Sequence, residues 1–240
     1  MHQVESHRAM GTQCPKLTII CLEGCHGSGK TVICNEMRAQ GYPVLDEAFI
    51  DMPSYSLDPQ SLLMETIWVC NWFQSILQLE SRLHRTSKKH QIVIVDRSPF
   101  SAIAYARNGH LLQPLILQQM QEIQSLRRIQ FHTVRIDVDP DVLYARICVR
   151  LEQEPERMRF HESDKNWMHT ILTFYNAFPW DFTVKNESSD IRKVVLDILH
   201  RVSTRDPNVH TFCRCKGKAG NSPLDSDADT QSEEDRKIIY

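Results

Sequence analysis

The chain has 240 residues, of which 41% are hydrophobic, and its 28 Lys and Arg against 30 Asp and Glu leave a formal net charge of −2 at pH 7. That length and apolar share suffice for one substantial core, and the near balance of charge excludes the global basic field that extended polyanions require, so no nucleic-acid polymer is expected as a partner. The apolar runs are too short to span a bilayer and the first residues lack the apolar region of a secretory signal, which leaves no role for a membrane. The eight cysteines are scattered, several within apolar patterns (Cys21, Cys34, Cys70, Cys148), as in a reducing compartment. A cytosolic chain is expected, with the nucleus left open. His210, Cys213 and Cys215 cluster, but their C-x-C spacing lacks a second half and is read as no metal site.

Residues 1 to 15 are polar and aperiodic and are expected to form a flexible arm. A strand follows at 16–23, KLTIICLE, and then a helix from Lys30 to Gln40 that stops at Gly41, a C′ position for glycine. The next strand is PVLDE at 43–47, and a long helix runs from Pro59 to Arg85. Strand 91–98, QIVIVDRS, is continuously apolar through Ile92-Val93-Ile94-Val95, the pattern of a parallel strand covered on both faces. Strand 132–138 precedes Asp139-Pro140, an N-cap and first-turn pair for another helix. After strand 181–186, Ser188 or Ser189 can cap a last helix through His200. From 205 onward the composition turns to Gly, Ser and Asp, an acidic tail too poor in apolar side chains to order itself, with Ser226 and Ser232 as phosphorylatable positions. The whole predicts a doubly wound five-stranded parallel α/β domain over 16–204, with ligands at the carboxyl ends of the strands.

Between the first strand and the first helix lies GCHGSGKT, residues 24–31, with the spacing G-x-x-x-x-G-K-[ST]. Such a turn aims successive backbone N–H groups inward at the positive end of a helix, which is how a polyphosphate is cradled. Gly24, Cys25, His26, Gly27, Ser28 and Gly29 would supply the cradle, Lys30 would reach the β- and γ-phosphates, and Thr31 would hold Mg²⁺. Asp96, at the end of its strand, is the expected acidic partner of the metal, with Arg97 beside it. Asp46 and Glu47 end the preceding strand. Either is a candidate for orienting an acceptor hydroxyl or taking its proton.

Two further stretches bear on chemistry. Leu63, Ile67, Cys70, Gln74 and Leu77 recur at helical spacing, which predicts an apolar stripe with Gln74 buried inside it. Arg146 and Arg150 lie four apart and share one helix face, the geometry of a phosphate clamp, while Pro155 interrupts the helix and makes a lid that carries Arg157 and Arg159.

LEGCHGSGKT, DRSPFSAIAYA, NWFQSILQLESRL and RICVRLEQEPER together resemble the deoxyribonucleoside kinase and thymidylate kinase superfamily of P-loop kinases, over roughly residues 16 to 200. The resemblance implies ATP- and Mg²⁺-dependent phosphoryl transfer to a nucleoside or nucleoside monophosphate, and a dimer. It implies that Asp96 and Arg97 act near metal and acceptor, that Gln74 reads the base edge with Trp72 or Phe73 nearby, that Glu154 touches the sugar, and that Asn186 lies beside the adenine of ATP. His26 matches viral thymidine kinases, where thymidylate kinases carry Asp; Ala48 departs from the Pro that nucleoside kinases place after the glutamate. A P-loop switch or sensor, or a kinase for another small hydroxyl compound, remains open at this point.

Overall fold

The computed structural model describes residues 16–47, 55–85, 90–126, 128–187, 190–206 and 209. Five strands form one wholly parallel sheet in the order β2-β3-β1-β4-β5, with β1 Lys16–Glu23, β2 Val44–Leu45, β3 His90–Asp96, β4 Ile129–Asp137 and β5 Phe182–Lys185. Helices connect them: α1 Lys30–Ala39, α2 Leu62–His84, α3 Phe100–Tyr105, α4 Gln113–Ser125, α5 Pro140–Gln153, α6 Lys165–Ala177 and α7 Ile191–Arg205. Order 2-3-1-4-5 places β1 at the centre, so the loop leaving its carboxyl end opens at the point where the winding reverses.

Period-two alternation sorts each central strand onto two cores. Leu17, Ile19 and Cys21 of β1, Val93 and Val95 of β3 and Ile129 and Phe131 of β4 pack under α2 and α4. Ile20 and Leu22, Ile92 and Ile94, and Val134 and Ile136 pack against α1 and α7. A third cluster, from Cys25 through Ile147 and Leu151 to Met168 and Tyr175, seats α5 and α6 over the strand ends. Each fully buried Ile or Leu of this kind stabilises the fold by about 2 kcal/mol.

The expected caps hold in part. Asp139 accepts from the N–H groups of Asp141 and Val142, and Gly41, at φ 79°, closes α1 with Gly41 N donating to Arg38 O and Tyr42 N to Met37 O. α7 is capped by Asp190, whose carboxylate accepts from Arg192 N. Ser188 and Ser189 lie outside the described residues, as do the N-terminal arm, the His210–Cys215 cluster, and Ser226 and Ser232. Past the expected boundary at 204, Asp206 and Val209 are fully buried, so packing continues beyond it. Among the described residues, no helix is long and apolar enough to cross a membrane.

The largest departure concerns α2. Leu63, Ile67 and Leu77 are 57%, 38% and 46% exposed, and Cys70 and Gln74 are exposed with them. The buried face carries Met64, Trp68, Val69, Trp72, Phe73 and Ile76 instead. Gln74 is therefore not a buried base-reading amide: it faces solvent, and Arg82 does too.

Candidate active site

A cavity of about 790 Å³ lies over the carboxyl ends of β1, β2 and β3, closed above by α5 and the 3-10 turn Pro155–Phe160. This is ample for a nucleoside together with a polyphosphate. Its floor is the loop 24–29. Gly29, at φ 90°, has Asn186 Nδ2 where a Cβ would stand, 2.6 Å away, so only glycine allows the loop and the end of β5 to meet. Gly27, at φ 80°, likewise lies against Ile147 of α5.

Asn186 braces this loop. Its Nδ2 donates to Ser28 O at 2.9 Å, its backbone N–H donates to Asp137 O, and its carbonyl accepts from Arg146 at 3.4 Å. Lys30 is 5% exposed, and its ammonium donates to Gly24 O at 2.9 Å, Cys25 O at 3.1 Å and Ser28 Oγ at 3.3 Å. Burial and the nearby Arg97 pull its pKa down to about 8. The Cys25 thiol is pushed up to about 12 by burial and packs as a small hydrophobe beneath α5.

His26 is 2% exposed and borders the cavity. Its backbone N–H donates to the Tyr105 hydroxyl at 3.1 Å, and its Nε2 has no partner among the described residues. Burial, then the charges of Arg97 and Arg150, lower its pKa to about 3, so the ring is neutral.

At the other side of the loop, Thr31 Oγ1 meets Asp96 Oδ2. Asp96 Oδ1 is buried and unpartnered, and burial raises the carboxyl above its usual range. Two hard oxygen donors with an unused buried lone pair fit a hydrated Mg²⁺.

Arg97 is the structural centre. It sits at φ 73°, a left-handed backbone that a β-strand end does not normally take, with its N–H on Leu22 O and its carbonyl accepting from Trp72 Nε1 at 3.2 Å. Its Nε pairs with Glu47 at 2.6 Å, and its Nη1 reaches Gly24 O, Ser101 and Tyr175. Beneath it, the fully buried Glu23 carboxylate accepts from Ser98, Ser101 and Tyr175, which fixes the turn after β3. Trp72 thus supports Arg97 from below and does not border the cavity; the tryptophan that does is Trp68, one turn earlier.

Asp46 and Glu47 separate. Asp46 is exposed and held at both oxygens by Arg38, at 2.6 and 2.7 Å, whereas Glu47 is half-buried against Arg97. Arg146 and Arg150 both border the cavity as their spacing implies. Arg150 is paired with Glu162, and Arg157 with Glu154 and, at 3.5 Å, with Glu162. Arg159 instead lies 4.6 Å over the Phe160 ring, outside the lining. Glu154 lines the cavity.

Sequence reasoning missed Gln60, Glu65, Trp68, Ser101, Tyr105 and Glu162, all of which border the same space. Ser101 and Tyr105 follow Arg97 at i+4 and i+8 on a short helix, a signal that was present. Glu65 had one too, as the single charge in the apolar run Leu62–Cys70.

Fold and loop together are those of the P-loop kinase superfamily. Residues 19–179 match the family model AAA_28, an AAA domain, and the chain belongs to that family. It is 23% identical over 228 residues to a thymidylate kinase of Citrifermentans bemidjiense (strain ATCC BAA-1014 / DSM 16622 / JCM 12645 / Bem), covering 84% of this chain and 95% of that one. Among solved structures, deoxyadenosine kinase from M. mycoides, with products dCMP and a flexible dCDP bound, superposes with a TM-score of 0.51 at 16% identity, over 78% of this chain and 99% of that one. This likeness is one of fold.

Proposed function

We propose that the protein is an ATP- and Mg²⁺-dependent kinase that phosphorylates a hydroxyl or phosphate of a nucleoside or nucleoside monophosphate. The observation that carries this reading is one cavity in which the phosphate loop, with Lys30 and the Thr31–Asp96 pair, faces Glu47 and Arg97. The resemblance to a thymidylate kinase along nearly its whole length supports a nucleoside-type acceptor.

ATP would supply the transferred γ-phosphoryl group, and Thr31 and Asp96 would hold Mg²⁺, which would supply positive charge to offset that of the phosphates. The loop amides and Lys30 hold the phosphates. Glu47, poised by Arg97, receives the acceptor's proton or fixes the acceptor's hydroxyl; Asp46, which also borders the cavity, is engaged by Arg38. Arg146 and Arg150, with Arg157 from the lid, stabilise the charge that spreads over the transferred group. Asn186 sets the loop's shape.

Purified protein incubated with labelled ATP, Mg²⁺ and a panel of nucleosides and monophosphates tests the proposal. Labelled nucleotide is expected, and Lys30→Met is expected to abolish it with the circular dichroism unchanged. Hydrolysis or binding of ATP with no labelled acceptor, or full activity in Lys30→Met, would overturn it.

A further inference from the structure

Arg146, Arg150 and Arg157 all border the cavity, yet they are held in different ways. Arg146 reaches the Asn186 carbonyl at 3.4 Å. Arg150 and Arg157 lie on opposite sides of the break where α5 gives way at Glu154 and Pro155 to the 3-10 turn, so helical spacing does not fix one relative to the other. One carboxylate joins them. Glu162 accepts from Arg150 Nη2 on one oxygen, and its other oxygen lies 3.5 Å from Arg157 Nη1.

Glu162 is itself anchored. The residue is 6% exposed, and the chain on either side of it is tied down: Gln60 Nε2 donates to Phe160 O at 3.3 Å, His161 N–H to Met158 O at 3.1 Å, and the Tyr144 hydroxyl to Ser163 O at 3.4 Å. The arginines are long, partly exposed side chains of like charge, which without a counter-charge would turn apart toward water. Arg157 has a second partner in Glu154, whereas Glu162 is the one carboxylate paired with Arg150 among the described residues. A buried ion pair adds little stability, because taking both charges out of water offsets most of their attraction. What it fixes is direction. Arg150 is held through Nη2, and its Nε, buried and unpartnered among the described residues, remains for an anion.

We propose that Glu162 is a positioning residue for phosphoryl transfer, holding Arg150 and Arg157 toward the cavity so that their remaining N–H groups meet the charge of the transferred group without rearranging. It touches no substrate and acts through the two arginines. This rests on the kinase reading above. The loop 24–29 and Lys30 hold the phosphates of ATP independently of the lid, so loss of the anchor is felt in the transfer step and little in ATP binding.

The test measures labelled transfer by the full chain, with ATP, Mg²⁺ and whichever nucleoside or monophosphate of the panel the wild type phosphorylates. In Glu162→Gln, kcat is expected to fall about tenfold or more, with KM for ATP within about twofold of the wild type. Glu162→Asp keeps the charge on a shorter stem and is expected to recover part of the lost kcat. A double-mutant cycle separates positioning from a merely structural role. When Arg150 and Arg157 are both replaced by Ala, adding Glu162→Gln is expected to change kcat by less than about twofold; in Arg146→Ala it is expected to keep its full effect. If Glu162→Gln does not fold, as judged by circular dichroism, Glu162→Asp carries the same cycle. A kcat within about twofold of the wild type in Glu162→Gln, a loss confined to KM for ATP, or a loss undiminished in the Arg150→Ala/Arg157→Ala background overturns this inference alone. A wild type that labels no acceptor overturns the kinase reading and this one with it.

Discussion

Thr31 Oγ1 donates to Asp96 Oδ2 at 3.0 Å, tying the start of α1 to the end of β3 across 65 positions of sequence. The hydroxyl and the carboxylate come from adjacent parallel strands' ends, because β1 and β3 pair in register with Leu22 opposite Asp96. Asp96→Asn preserves this hydrogen bond's shape and removes the charge. Its kcat at saturating Mg²⁺ is expected to fall by about 100-fold or more, while nucleotide binding in the presence of a chelator stays at the wild-type level. A Mg²⁺ titration of initial rates checks this.

The Arg97–Glu47 pair has a stability consequence as well as a chemical one. Glu47→Gln removes the proposed proton acceptor and leaves a guanidinium that is only 8% exposed without its counter-charge. Transfer is expected to drop by about 100-fold or more, and stability by about 2 kcal/mol, less than for a fully enclosed pair because Glu47 is 22% exposed. Arg97→Lys should not rescue either property, since one ammonium cannot reach Glu47, Gly24 O and Tyr175 together. Urea titrations beside steady-state kinetics measure both.

Acid should unfold the protein through its histidines. His26, His90 and His132 are held below the ordinary imidazole pKa, each chiefly by burial. A lowered folded pKa means that the unfolded chain binds protons the native state refuses as pH falls below about 6.5. Stability is complete above that value and is lost below it, at up to about 1.4 kcal/mol per pH unit for each histidine; for His26 the loss continues to about pH 3. Denaturant midpoints between pH 7 and pH 5 are expected to decline, and less steeply in His26→Asn.

Asp206 provides a control remote from the chemistry. It is fully buried, accepts from Thr18 Oγ1 at 2.6 Å and lies 3.8 Å from His132 Nε2. Asp206→Ala leaves the Thr18 hydroxyl unpaired between β1 and α7. The expected loss is about 2 kcal/mol of stability, with KM for ATP unchanged, measured by thermal unfolding and initial rates.

The doubly wound sheet was legible because the continuous apolar runs, the glycine stop after α1 and the Asp139-Pro140 cap each specify local structure by themselves. The floor of the cavity was legible for the same reason: residues 24–31 act through backbone geometry that the spacing encodes. The α2 side of the cavity was not. α2 is apolar around most of its circumference, so helical periodicity supports both the exposed row through Leu63 and Gln74 and the buried row through Met64 and Trp72, and only packing against β1, β3 and β4 chooses between them. Choosing the wrong row put Gln74 and Trp72, in place of Glu65 and Trp68, on the side of α2 that borders the cavity. Glu162 escaped notice because its ion pairs with Arg150 and Arg157 join segments that no local pattern links.

The three hydrogen bonds of Lys30 to its own loop make ligand entry an exchange reaction. An ammonium has three protons to give, and all three are already placed on neutral oxygens. A ligand gains this lysine only by offering oxygens that hold it better than two carbonyls and a hydroxyl, which a sugar or an amide does not and a polyphosphate does. The loop is thereby insulated from the small neutral metabolites that fit its dimensions. On the kinase reading proposed above, a preference for highly charged anions is set before any contact with the rest of the nucleotide is made.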